Sequence, residues 1–261
     1  MLPRVVELLG KCGSTTSVLP PTELYNEGWM LRLILDWFDQ NRDLRHELSF
    51  LPGARWYSEA LLPSRFLPQK RGDERAESFT HADGVIGHFS IRPGERGEAS
   101  LLPTTRQFVV TEAKLGSGLS AGTKNAPDYD QAARNVACMA RMIEAAGINP
   151  KTLESLAFYV LAPDSQITSG VFENLVTEES IHRKVADRVR QYEGALDDEF
   201  HKNLVVWFHK GFEPVLERID LGILSWESIL DLLPTTEVTS KLREFYARCR
   251  QFNPQRGQRA V

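Results

Sequence analysis

Arg106-Gln-Phe-Val-Val-Thr-Glu-Ala-Lys114 is the stretch on which the reading of this chain turns. Its aromatic and β-branched residues predict a strand over 106–114. Side chains alternate across a strand, so Glu112 and Lys114 leave by the face that Phe108 and Val110 also occupy. A carboxylate, an ammonium and an apolar wall then share one patch. Nowhere else in the 261 residues does an Asp or Glu stand two positions before a Lys.

Working outward, segments 54–62 and 78–91 also read as strands, set apart by Pro- and Gly-containing turns at 68–72 and 93–97. Before them, Pro20-Pro21-Thr22 announces a helix over 23–40 with Thr22 as its cap. After the 106–114 strand comes a Gly- and Ser-rich loop over 115–127, a helix over 129–146 and a strand over 155–161. The order is α-β-β-β-α-β. Beyond Pro163 the chain reads as helical over 172–192, and Phe200, Leu204, Phe208, Phe212 and Leu216 recur every fourth residue in a further helix. A last strand over 219–224, a Ser225-capped helix to Leu233 and a helix over 240–251 complete the chain. No hydrophilic linker interrupts it, so residues 1–261 are expected to form one elaborated domain, with a core over about 20–162 and a mainly helical extension over 163–261.

Composition narrows the function classes. No apolar run approaches the length of a bilayer span, and the amino-terminal segment lacks a secretory h-region, so no membrane partner and a cytoplasmic location are expected. Cys12, Cys138 and Cys249 are widely spaced and form no Cys-x-x-Cys pair, which speaks for reduced, buried thiols rather than a disulfide or zinc framework. A formal charge of −4 gives no overall attraction to nucleic acid, so any such binding must use local positive surface. One such surface is the carboxy-terminal run Lys241, Arg243, Arg248, Arg250, Arg256 and Arg259, which reads equally as a solvated helix and tail or as a phosphate-contacting arm.

Upstream, Phe79-Thr-His-Ala-Asp83-Gly-Val-Ile-Gly-His-Phe89 is an apolar strand interrupted by an acid. Asp83 either ends the strand at Gly84 or is a paired or metal-binding carboxylate, since a lone one is costly there. Together Asp83, Glu112 and Lys114 resemble the signature of the PD-(D/E)XK nuclease superfamily, and the α-β-β-β-α-β order resembles its restriction-endonuclease-like core. Ala82 stands where the family's name has Pro. The resemblance covers about residues 20–162 and implies an α/β fold with a mixed sheet flanked by helices. It also implies a site in which Asp83, Glu112 and the main-chain carbonyl of Ala113 hold Mg²⁺, with Mn²⁺ as a substitute. Two hard carboxylates suit such a cation, and Lys114 would activate or position the attacking water. The reaction implied is phosphodiester hydrolysis, DNA being the preferred substrate and a homodimer the arrangement suited to cutting both strands. The alternative is a nucleic-acid-binding or scaffolding protein that keeps the fold with little activity.

Four further expectations concern the surroundings. On a helical wheel Glu27 falls amid Met30, Leu31, Ile34 and Phe38, so it is expected to point at the sheet and support the metal, with Glu23 as the reserve. The superfamily often carries a polar residue early in the helix after the Glu-x-Lys strand, which makes Gln131 the residue orienting the assembly and Arg134 a phosphate contact. Ser117 and Lys124, in the donor-rich loop, are the remaining nucleic-acid contacts. His81, two positions before Asp83, reads as a structural histidine. No nucleotide-binding Gly-rich motif is present.

Overall fold

Five strands form one mixed sheet in the computed structural model, which describes residues 1–68, 70–92, 97–122, 125–194 and 198–254. Strands β1 (Arg55–Leu62), β2 (Thr80–Gly87), β5 (Gln107–Ala113), β6 (Ser155–Ala162) and β7 (Asp220–Ser225) lie in that order across it. The first three pair antiparallel, and β6 and β7 continue parallel to β5. A two-stranded ribbon, β3 (Phe89–Ile91) with β4 (Ala99–Leu101), fills the connection from β2 to β5, so the single strand expected over 78–91 is divided after Gly87.

Helices cover both faces of the sheet. Helix α1 (Leu2–Gly10) buries none of its residues. Helix α2 (Glu27–Gln40) packs on one face with α8 (Trp226–Leu232) and α9 (Glu237–Phe252), where Met30, Leu31, Ile34 and Phe38 meet Ile86, Val109, Ala157 and Leu161. On the other face α3 (Gln131–Ala145) presents Ala133, Val136 and Ala140 to Phe108, Val110 and Phe158. Burying a side chain such as Phe38 or Phe158 contributes about 1.5–3 kcal/mol, so these two layers dominate the stability of the fold.

The crossover from β6 to β7 runs through α4 (Asp164–Thr168), α5 (Glu178–Arg190), α6 (Asp198–Trp207), a π-helical turn at Phe208–Phe212 and α7 (Glu213–Leu216). The helix expected over the Phe200–Leu216 repeat is thus interrupted. Pro214 cannot donate a backbone hydrogen bond to the preceding turn, and the widened turn lies just ahead of it. Residues beyond 163 are more than a helical appendage, because they return β7 to the sheet and α8 and α9 to its face. Among the described residues no helix is long and apolar enough to cross a membrane, and all three cysteines are buried free thiols.

Two local features shape the sheet where the Glu-x-Lys strand ends. Helix α2 starts later than expected. Pro21–Glu23 form only a 3₁₀ turn, and Asn26, not Thr22, caps the helix by accepting the Trp29 N–H at 2.9 Å. At Gly84, a Cβ would lie 2.4 Å from Thr111 Oγ1 and 3.0 Å from both Leu31 and Leu35 of α2. Gly84 is therefore not a strand-ending turn but a point of close approach between helix α2 and the sheet. Gly84→Ala is expected to destabilise the protein by about 2 kcal/mol through overpacking, a loss that chemical denaturation would measure.

Candidate active site

Strand β5 is buried along its whole length, and its last residues carry the polar groups. Glu112 is 1% exposed and Lys114, the first residue past the strand, is 8% exposed. The Lys114 ammonium donates to Glu112 Oε1 at 2.7 Å. The main chain holds that lysine from two sides: its N–H donates to the Leu161 carbonyl at 2.8 Å, and its carbonyl accepts from the buried Trp226 indole at 2.9 Å. Gln131, the first residue of α3, donates its side-chain amide to the same Glu112 oxygen, while its own carbonyl oxygen accepts the Ser120 N–H at 3.2 Å. Glu112 Oε2, buried as deeply, has no hydrogen-bond partner.

Asp83 enters from β2. The β2–β5 ladder runs from Gly87↔Phe108 to Gly84↔Thr111 and stops there. One rung further, Asp83 would face Glu112; instead its Oδ2 accepts the Ala113 N–H at 2.8 Å. The carboxylate replaces the lost ladder contact, and a second acid is left beside Glu112. Burial first, and the Asp83 charge second, push the Glu112 carboxyl up to about 8, with Lys114 only partly opposing them. At neutral pH Glu112 is therefore largely protonated until a cation joins it.

The structure thus brings together Asp83, Glu112, Ala113, Lys114 and Gln131. Glu27 occupies the first turn of α2, where a negative charge meets the helix dipole favourably. It makes no direct hydrogen bond or ion pair to Asp83, Glu112 or Lys114, and its charge is felt at the Cys249 thiol of α9, which burial and Glu27 together push up to about 12. Although the helix begins later than expected, Glu27 remains three and four residues before the buried Met30 and Leu31 and so on their face of α2, half-buried at its first turn. Glu23 is exposed in the 3₁₀ turn.

Arg134 corrects the expectation of a free phosphate contact. Its side chain turns inward, with Nε 3.7 Å from the buried Glu77 carboxylate and Nη2 3.5 Å from Thr80 Oγ1. Ser117 is exposed, but the loop that carries it is tied down. Gln166 donates to the Ser117 carbonyl at 3.1 Å, Arg250 to the Leu115 carbonyl at 3.1 Å, and the Gln131 N–H to the Ser120 carbonyl at 3.0 Å. Lys124, Arg256 and Arg259 lie outside the described residues. His81 is exposed rather than packed beside Asp83.

One acidic residue near the site was not singled out from the sequence. Glu59, on β1, adopts a φ of 56°, and no other non-glycine among the described residues has a positive φ. Ser58 pairs with Gly84 and Ala60 with Ala82, so the skipped rung is Glu59 opposite Asp83. A charged residue within the strand Arg55–Leu62 was the available signal; its register against Asp83 was not. Among the described residues no three His, Cys, Asp or Glu side chains are gathered as a ready metal cage. Two carboxylates and a carbonyl still suit Mg²⁺, which ordinarily keeps several waters and shares its shell with a phosphate. Comparison with known proteins returned no matching family model, no matching curated protein and no matching solved structure.

Proposed function

We propose that this protein is a magnesium-dependent phosphodiesterase of the PD-(D/E)XK type that hydrolyses nucleic acid, DNA by preference. The observation that carries the reading is Glu112: a buried carboxyl with one oxygen held by Lys114 and Gln131 and the other unpartnered, next to a second carboxylate. Ionising a buried carboxyl beside a second carboxylate is costly, and a hard cation held by Glu112 together with Asp83 offsets that cost. Asp83, Glu112 and the Ala113 carbonyl would hold the ion, with Mn²⁺ able to replace Mg²⁺. When bound, Mg²⁺ supplies charge neutralisation at a phosphodiester and acidifies a coordinated water.

The chain's own groups do the rest. Lys114 has three donor protons and spends one on Glu112, leaving two to orient a water and to stabilise negative charge growing on the phosphate oxygens. Gln131 fixes the Glu112 side chain and, through Ser120, ties its orientation to the loop after β5. Phe108 and Val110 lie on the same side of β5, in the apolar core against α3, which limits solvent beneath the ionic groups. A homodimer would place two such sites on the two strands of a duplex.

Incubating the full chain with supercoiled, linear and single-stranded DNA and with RNA, in Mg²⁺, Mn²⁺ or a chelator, tests this reading. DNA cleavage that requires a divalent ion is expected. Cleavage that persists in the chelator, or binding of nucleic acid with no cleavage under any ion, would overturn it, the latter in favour of a binding protein.

A further inference from the structure

Three acids, Glu59 on β1, Asp83 on β2 and Glu112 on β5, flank the point where both ladders of β2 break. Across the strands, the unpaired position between Ser58↔Gly84 and Ala60↔Ala82 falls to Glu59 and Asp83, and the position just past the last β2–β5 pair, Gly84↔Thr111, falls to Asp83 and Glu112. Both ladders break at Asp83. Like charges directly opposite across strands are destabilising, and a left-handed backbone at a non-glycine residue costs more on top. The backbone turn has a visible consequence. Ser58 and Ala60, two apart, should share a face, yet Ser58 accepts from Arg32 Nε of α2 at 2.9 Å while Ala60 sits in the core beneath α3. The turn-over at Glu59 thus places its carboxylate at the edge between the two layers, alongside Asp83.

A row of acids alone does not make a site. The independent sign of a missing ligand is at the far end of the row, where Glu112 Oε2 is buried without a partner beside Asp83. Glu59 meanwhile has a removable partner: Arg32 Nη2 reaches its Oε1 at 3.3 Å, a long contact between side chains that are 26% and 49% exposed. Such a partly exposed pair is weak, so a divalent ion can compete for it.

We propose that Glu59 is the third carboxylate of the cation site, exchanging Arg32 for the ion held by Asp83 and Glu112. This inference rests on the metal-site reading above and adds a ligand from β1 to it. In the cation-free state Glu59 is paired with Arg32, and no preformed three-acid cage is present among the described residues. The positive φ at Glu59 is then a functional strain, kept because it aims the carboxylate.

Titration calorimetry of the full chain with Mn²⁺ alone, without nucleic acid, tests the proposal. Glu59→Gln is expected to weaken Mn²⁺ binding by about tenfold, the size of effect seen when a metal site loses a supporting group. Arg32→Gln, which removes the competing guanidinium, is expected to tighten it by a few-fold. Glu59→Gly removes the carboxylate and relieves the left-handed strain, so it should weaken binding as much while raising the melting temperature of the metal-free protein by about 2–4 °C. Both Glu59 variants binding Mn²⁺ like the wild type, while Asp83→Asn does not, would overturn the role of Glu59 and leave the two-carboxylate site standing. Binding lost together with a lower melting temperature in both Glu59 variants would assign the loss to misfolding and overturn it as well. A wild type that binds no Mn²⁺ would remove both the proposal and the site on which it rests.

Discussion

Asp83→Asn is expected to lower cation-dependent DNA cleavage by about 10²–10³-fold while leaving the fold intact. The substituted amide keeps an oxygen able to accept the Ala113 N–H, so the contact that closes the end of the β2–β5 ladder survives. What disappears is one of two anionic ligands, and with it the charge neutralisation that a divalent ion provides at the phosphate; losses of a single electrostatic group in such sites reach this magnitude. The same change removes the nearest negative charge from Glu112, so the metal-free variant should unfold no more easily than the wild type. Cleavage rates and denaturation curves measured on one preparation check both halves. Wild-type rates in a properly folded variant would remove Asp83 from the site.

Glu112→Gln should change how stability depends on pH. Burial and Asp83 raise the Glu112 carboxyl from 4.5 to about 8 in the folded protein. The folded state therefore keeps a proton that the unfolded chain has already released in this window. Stability from this group is fully present below about pH 4.5 and is lost as pH rises through about 8. The loss is on the order of several kcal/mol, or roughly 10 °C in melting temperature for a domain of this size. Glu59 and Glu77, also raised chiefly by burial, add slopes of the same sign. The informative quantity is accordingly the difference between wild type and variant. Glutamine cannot ionise, so the metal-free variant should lose much less stability between pH 5 and pH 8. Saturating Mg²⁺ should restore the wild type at pH 8, because the ion stabilises the ionised carboxylate. Parallel melting curves for the two proteins across this range would show that Glu112 is not the buried acid described.

Much of the core could be read from local patterns because the forces that set it are local. The β-branched run 109–111, the small-residue face of α3 and the cap at Ser225 each declare their element within a few residues. Glu112, Lys114 and Gln131 converge because a two-residue strand spacing and the start of the following helix are both visible in the chain. The start of α2 was decided by a competition between two plausible caps: the Pro-Pro-Thr signal produced only a 3₁₀ turn, and Asn26, with an acceptor for the Trp29 N–H, opened the helix four residues later.

The remaining features depend on pairing between distant segments. Arg134 looked like a surface residue until Glu77, from the segment before β2, was packed against it. Strand alternation also fails at the Glu59 rung, where Ser58 and Ala60 face opposite layers. Glu59 itself is unremarkable in sequence, and its relation to Asp83 exists only once β1 is registered against β2. Register between strands is set by the whole apolar pattern rather than by any single residue. The π-helical turn was hinted at by Gly211 and Pro214, though not its form.

The most direct test is cleavage of one DNA substrate by wild type and Lys114→Ala in parallel, with Mg²⁺ present and folding verified. Lys114 is the one site residue proposed to act on the reacting atoms without holding the ion. The account predicts divalent-ion binding within a few-fold of wild type and a cleavage rate lowered by about 10²-fold or more. A Lys114→Ala protein that cuts DNA as fast as the wild type would contradict it.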